Sequence, residues 1–176
     1  FSGLTDRQRD RHRKTIDPNA GVFTTGIRQL DDTTDGGVHL GELWVVFAYA
    51  KRCKSLWLVN QGFHATRVHR RPTLHVVLEG HGSQIAARYD ACFSQELYTN
   101  VKKGEIDPQL FSAMHNEYAQ LRGLLVIRTL NDWDVNVTHI SAELDELKAN
   151  GFVPEMLVVD YMDLLRSRTR TDSETQ

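Results

Sequence analysis

The chain has 176 residues, 40% hydrophobic and 25% charged, with a formal net charge of −2. That is the composition of one ordinary globular domain with a sizeable core, and its charge balance gives no global argument for a nucleic-acid or membrane partner. No apolar run approaches the ~20 residues that span a bilayer, and Cys53 and Cys92, the two cysteines, fit neither a disulfide framework nor zinc spacing, so reduced thiols in a cytosolic or other reducing compartment are expected.

Residues 1–19 read as a basic arm or linker, with Arg7, Arg9, Arg11, Arg13 and Lys14 crowded together and a turn at Asp17-Pro18-Asn19. The charges are followed by no apolar core, so the stretch does not read as a secretory signal. The folded part is expected over residues 20–165, with a polar tail over 166–176. Around Ile27 and Leu30 the pattern predicts a short amphipathic helix, which breaks at Asp35-Gly36-Gly37. Leu43, Trp44, Val45, Val46 and Phe47 then read as a buried strand. A polar turn follows, and a helix opens at Lys54-Ser55 with Leu56, Leu58 and Val59.

Three more apolar runs punctuate the chain: Leu74–Leu78, Leu124–Ile127 and Met156–Val159. Short continuous runs of this kind suit strands buried on both faces. Helices are predicted between them. One is capped by Ser83 and carries Ile85, Ala86, Tyr89 and Phe93. A second runs from Pro108 to Leu121 with Leu110, Met114, Tyr118 and Leu121 on one face. A third is capped by Thr138, carries Ile140, Leu144 and Leu147, and ends at Asn150-Gly151. Strands alternating with helices predict an α/β fold with a mostly parallel sheet and right-handed crossovers.

Chemistry is expected at the carboxyl ends of the strands, where open α/β sheets bind ligands. A strand, a short turn and a helix opening on Lys-Ser form the frame of a P-loop. There, backbone N–H groups and the helix N-terminus hold phosphate oxygens, the lysine neutralises charge and the hydroxyl ligates magnesium. Ala48, Tyr49, Ala50, Lys51, Arg52, Cys53, Lys54 and Ser55 have the length of that motif, with Ala48 and Cys53 at the two glycine places. Taken alone, the stretch equally fits a βα turn with a surface Lys-Ser pair. Glu79 and Asp160 end two other strands, Glu79 as a candidate general base and Asp160 as a support for magnesium. Together with Lys54-Ser55 they favour a nucleotide site. The eight histidines are scattered without ligand spacing, Trp44 and Trp57 read as core residues, and Asp132 and Asp134 as solvated loop residues.

Three segments carry a resemblance. TGIRQLDDTTDGGVHLGELWVVFA resembles the stretch that leads into the phosphate loop of RecA-like ATPases, above all DnaB-type replicative helicases. LHVVLEGHGSQIAAR looks like their second strand with the catalytic glutamate, here Glu79, and MLVVDYMDLL looks like their Walker B strand, with the aspartate at Asp160. The resemblance spans Thr25 to Leu165. It implies a RecA-like P-loop NTPase core that binds ATP and Mg²⁺, hydrolyses ATP, and moves on single-stranded DNA as a homo-oligomeric ring, a hexamer, with no membrane role. It also implies that Lys54 contacts the β- and γ-phosphates, Ser55 the magnesium, that Glu79 activates water, and that Asp160 supports the metal. Tyr161 after Asp160, with Met162-Asp163-Leu164-Leu165, is closer to the helicases than to RecA-like ATPases of recombination or clock type. Two departures stand out. Cys53 puts a β-carbon where backbone approaches phosphate, and the sequence stops before the family's further strands, polar sensor residue, DNA-binding loops and arginine finger, as expected either of part of a longer protein or of an incomplete motor. They define the alternative expectation, a degenerate RecA-like module with weak or no turnover that acts in assembly or protein binding.

Overall fold

The computed structural model describes residues 21–49, 51–121, 123–130 and 134–166. The basic arm, the turn at Asp17-Pro18-Asn19, Ala50, Asp132 and most of the polar tail lie outside them. The chain divides into two units, Phe1–Phe47 and Ala48–Gln176.

In the first unit, strand β1 (Val22–Phe23) pairs antiparallel with β2 (Val38–His39), and helix α1 (Arg28–Thr33) connects them. A single carboxylate ties this connection together. Asp31 accepts hydrogen bonds from both the backbone N–H and the hydroxyl of Thr25, each 2.7 Å long. Its backbone carbonyl accepts from Gly36 N–H at 2.8 Å. Gly37 sits at φ +126°, and a Cβ there would lie 2.2 Å from the carbonyl oxygen of Phe23. No side chain fits at that point. The glycine break predicted at Asp35–Gly37 is therefore a real turn, and the helix around Ile27 and Leu30 forms as expected.

Residues 43–47 form no strand. Leu43, Val45, Val46 and Phe47 are exposed, and Trp44 is half-buried, its indole N–H donating to Glu42 at 2.9 Å. The apolar run describes an extended chain, but a strand also needs a neighbour to accept its ladder, and sequence pattern does not supply one.

The second unit opens with helix α2 (Lys54–Phe63), beginning at the predicted residue and continuing into a π-helical turn (His64–Val68). Then follow β3 (Thr73–Val77), α3 (Gly82–Ser94), α4 (Tyr98–Lys103), α5 (Pro108–Leu121), β4 (Leu125–Thr129), α6 (Val137–Ala149) and β5 (Met156–Asp160). The three strands form a parallel sheet in the order β4-β3-β5. β3 is buried at all five positions, as its unbroken apolar run requires. Two cores lie on this sheet. One gathers Val59, Val77, Ile85, Tyr89, Phe93 and Leu121, the other Leu74, Val76, Leu78, Val135, Ile140 and Leu147. The alternation of Val77 and Val76 between the two is the period-2 pattern of a strand.

Two helix starts differ from expectation. α3 opens after His81, so Ser83 lies inside its first turn. α6 is capped by Asn136 rather than Thr138. The Asn136 side chain accepts from Thr138 N–H at 2.9 Å, and His139 Nδ1 accepts from Asn136 N–H at 3.2 Å. An imidazole replaces the usual Glu or Gln of this reciprocal cap. α5 starts at Pro108 as expected, with the Asp107 carboxylate accepting from Gln109 and Leu110 N–H at 2.7 and 3.1 Å. α4 was not anticipated, because its six residues show little apolar periodicity. Trp57 is half-buried rather than a core residue.

Between the elements sits a buried polar pair. The Tyr89 hydroxyl lies 2.9 Å from His75 Nδ1, and both residues are 0% exposed. Burial, aided by the positive charge of Arg88, holds His75 at a pKa of about 4, below its ordinary 6.5. The Tyr89 oxygen also faces α2, where a Cβ on Gly62 would lie only 2.0 Å from it. A phenol held by His75 has no room to retreat. Gly62→Ala is expected to cost about 2 kcal/mol by overpacking, read as a lower urea midpoint. Combining it with Tyr89→Phe, which removes the colliding atom, should cost less than the sum of the two single changes. Because the native state binds a proton at His75 more weakly than the unfolded chain, His75 costs no stability above about pH 6.5. Stability then falls by about 3 kcal/mol in total as the pH drops to about 4. An imidazole NMR titration with a midpoint near 6.5 would contradict this.

Candidate functional site

The register of the sheet assembles the site. β3 and β5 run parallel with Val77 opposite Asp160, and Leu78 N–H donates to the Asp160 carbonyl at 2.7 Å. Glu79, two residues past Val77, and Tyr161, one past Asp160, therefore emerge at the same carboxyl edge. Asp160 is 5% exposed, whereas Glu79 is exposed and Tyr161 half-buried.

α2 starts at this edge too. The turn before it is tight: Arg52 N–H donates to the Tyr49 carbonyl at 3.2 Å, and Trp57 N–H to the Cys53 carbonyl at 3.0 Å. Cys53 takes the residue before the helix in a left-handed conformation, φ +61°, and Lys51 does the same at φ +60°. No side chain caps α2, so its first-turn N–H groups point outward with the positive end of the helix dipole behind them.

A cavity of about 890 Å³ opens between these parts. Lys51, Arg52, Cys53, Lys54 and Ser55 line one side, with Glu79, Asp160 and Tyr161 beside them. Of the residues expected to bind nucleotide, Ala48 and Tyr49 are exposed and stand outside this lining, and Ala50 is outside the described residues. The other side of the cavity was not anticipated. Arg88, Ala91 and Cys92 come from α3, Glu96 and Leu97 from the turn after it, and Tyr98 from the start of α4. The Arg88 guanidinium lies 5.9 Å from the Tyr98 ring centroid. Burial pushes the Cys92 thiol above its ordinary pKa. Sequence spacing carried no signal for this wall, because it depends on how α3 packs on α2 and α4 on α3.

Tyr161 packs against Lys54 inside the site. The Lys54 Nζ lies 4.3 Å from its ring centroid. The Glu79 charge is the largest cause of a raised phenol pKa at Tyr161, followed by slight burial and the charges of Asp163 and Asp160. Adjacency to the strand-ending Asp160 was the one signal in the sequence that pointed to this residue.

Three features therefore meet at one edge: an uncapped helix N-terminus carrying Lys54 and Ser55, a buried carboxylate and an exposed one. The model of the DnaB-like helicase C terminal domain matches residues 21–176. Among curated relatives, the replicative DNA helicase DnaB of Leifsonia xyli subsp. xyli (strain CTCB07) is 26% identical over 155 residues, covering 86% of this chain and 33% of the relative. The replicative DNA helicase DnaB of Buchnera aphidicola subsp. Schizaphis graminum (strain Sg) is 23% identical over 162 residues, covering 91% of this chain and 35% of the relative. The chain thus spans about a third of the length of the curated relatives it matches. No helix among the described residues is long and apolar enough to cross a membrane. With its parallel α/β sheet and this match over most of its length, the chain belongs to the DnaB-like helicase C-terminal domain family, whose fold is RecA-like.

Proposed function

We propose that this chain binds ATP at the cavity between α2 and the β3–β5 edge and serves as the nucleotide-hydrolysing part of a replicative helicase that moves on single-stranded DNA within a homo-oligomeric ring, a hexamer. The observation that carries the reading is the convergence of Lys54, Ser55, Glu79 and Asp160 on one cavity beside an uncapped helix N-terminus. Each residue has a distinct task. The α2 N–H groups and Lys54 hold phosphate oxygens, the N–H groups by direction and the ammonium by charge. The exposed Glu79 carboxylate takes the proton of the attacking water. The fit for magnesium rests on donor chemistry: a hydroxyl and a buried carboxylate, Ser55 and Asp160, are hard oxygen donors beside phosphate. When bound, the cation supplies charge neutralisation at the phosphates.

Lys51 and Arg52 add positive charge on the same wall. A second reading is supported by Cys53. A non-glycine residue in the left-handed region costs about 1–2 kcal/mol, and its β-carbon stands where backbone nears phosphate. Under that reading the module keeps the fold for assembly or protein binding and turns over ATP weakly or not at all.

Calorimetry of magnesium-ATP binding separates the two. The chain is expected to bind, and Lys54→Ala to weaken binding by at least about ten-fold, since it deletes a charge-assisted contact. No heat and no thermal stabilisation at saturating ATP would favour the assembly reading, with the oligomeric state measured in the same sample. Cys53→Gly should raise stability by about 1 kcal/mol, because glycine takes φ +61° without strain. The same change should tighten ATP binding. A variant no more stable than the parent in urea unfolding would mean that the turn stores no such strain.

A further inference from the structure

We propose that the wall formed by α3 and the start of α4 is a nucleobase site, where the base of a bound nucleoside triphosphate stacks on the Tyr98 ring beside the Arg88 guanidinium. The inference deepens the nucleotide reading given above and rests on it, since it assigns the part of the cavity that the phosphates leave unused.

The lining changes character along the cavity. Lys51, Arg52, Lys54 and the α2 N–H groups offer charge and hydrogen bonds, which suit phosphate. The residues from α3 and α4 offer surface instead. Tyr98 and Cys92 are half-buried, Leu97 is 67% exposed, and Ala91 is small enough to leave room beside the helix. An aromatic ring, apolar atoms and one planar guanidinium add little for a triphosphate. A nucleobase has π faces, which stack on tyrosine rings and on arginine planes. The volume agrees: about 890 Å³ is in the range of sites that enclose a whole small ligand rather than its phosphates alone.

The platform that carries the ring is tied down. Gln95 ends α3 in the left-handed region, at φ +58°, and turns the chain. Glu96 then fixes the turn: its Oε1 accepts from Leu97 N–H at 2.8 Å and from the Asn100 side-chain amide at 2.9 Å. The Leu97 carbonyl accepts from Asn100 and Val101 N–H at 2.9 and 3.1 Å. Tyr98 lies between these anchors, so hydrogen bonds on both sides of it set its backbone. A ring so held gives up little freedom on stacking. The spacing is suitable as well. A flat base between two flat groups needs two contact separations of about 3.5 Å, or about 7 Å in all. Arg88 stands 5.9 Å from the Tyr98 ring centroid, and its flexible side chain needs to swing by only about 1 Å to admit the base.

The test is calorimetry of the chain with magnesium ATP and with magnesium ribose 5-triphosphate, which lacks only the base. ATP is expected to bind about 5- to 150-fold more tightly, the range spanned by one base–aromatic stack. Tyr98→Ala should remove most of that advantage and leave the affinity for ribose 5-triphosphate unchanged. Tyr98→Phe, which keeps the ring, should keep the advantage. In the parent chain, nuclear Overhauser effects should join the adenine protons of bound ATP to the Tyr98 ring, assigned with Tyr98→Phe. The base site is overturned, with the phosphate site left standing, if the two ligands bind equally well, if Tyr98→Ala keeps the full advantage of ATP, or if the adenine protons show no effect to the Tyr98 ring. Should neither ligand bind, the phosphate-site reading fails and the base site with it. If Tyr98→Ala does not fold, the affinity ratio and the Overhauser effects in the parent chain still decide.

Discussion

Everything at the candidate site depends on the in-register pairing of β3 with β5. A parallel ladder fixes which residues reach the sheet edge together. With Val77 opposite Asp160, the exposed Glu79, the buried Asp160 and Tyr161 share one end of the sheet. A slip of one residue would turn Asp160 to the opposite face and bring Val159 to its place. Burial enforces the register. β3 is covered on both faces by separate cores, and a slip would exchange His75 and Val77 with Leu74 and Val76 across the sheet. The same packing that stabilises the unit therefore aligns its chemistry, and α2 needs only to begin at that edge to complete the cavity.

The charge arrangement follows from the same placement. An uncapped helix start, three basic residues flanking Cys53, and the Glu79 and Asp160 carboxylates beside them make a site of mixed sign. Within it the Tyr161 ring faces the Lys54 ammonium, 4.3 Å from its centroid.

Much of this was legible in the sequence, for identifiable reasons. The runs at Leu74–Leu78, Leu124–Ile127 and Met156–Val159 are short, apolar and bounded by turn residues, and each became a strand of the parallel sheet. α2 opens at Lys54 and α5 at Pro108, where local backbone chemistry alone selects the first helical residue. The TG, LD and GG elements of the first unit find a local cause in the Asp31 carboxylate and the crowded Gly37. What failed depended on a partner that periodicity does not name. Residues 43–47 have the pattern of a strand without a ladder, and Asn136 rather than Thr138 caps α6 because an imidazole completes the cap. The far wall of the cavity, from Arg88 to Tyr98, was invisible because it is made by tertiary folding of α3 and α4 rather than by any local motif.

The notch at Gly62 has a mechanical consequence. α2 carries Lys54 and Ser55 at one end, and at the other it seats the Tyr89 oxygen where any side chain would collide. Tyr89 belongs to α3 and is joined to His75 of the central strand, so α2 is pinned at its carboxyl end to both its neighbouring helix and the sheet. A pinned rod cannot slide along its own axis. At the opposite end the turn holds two residues, Lys51 and Cys53, at positive φ. The helix is thus packed tightly at its carboxyl end, and the strained backbone lies ahead of its amino end.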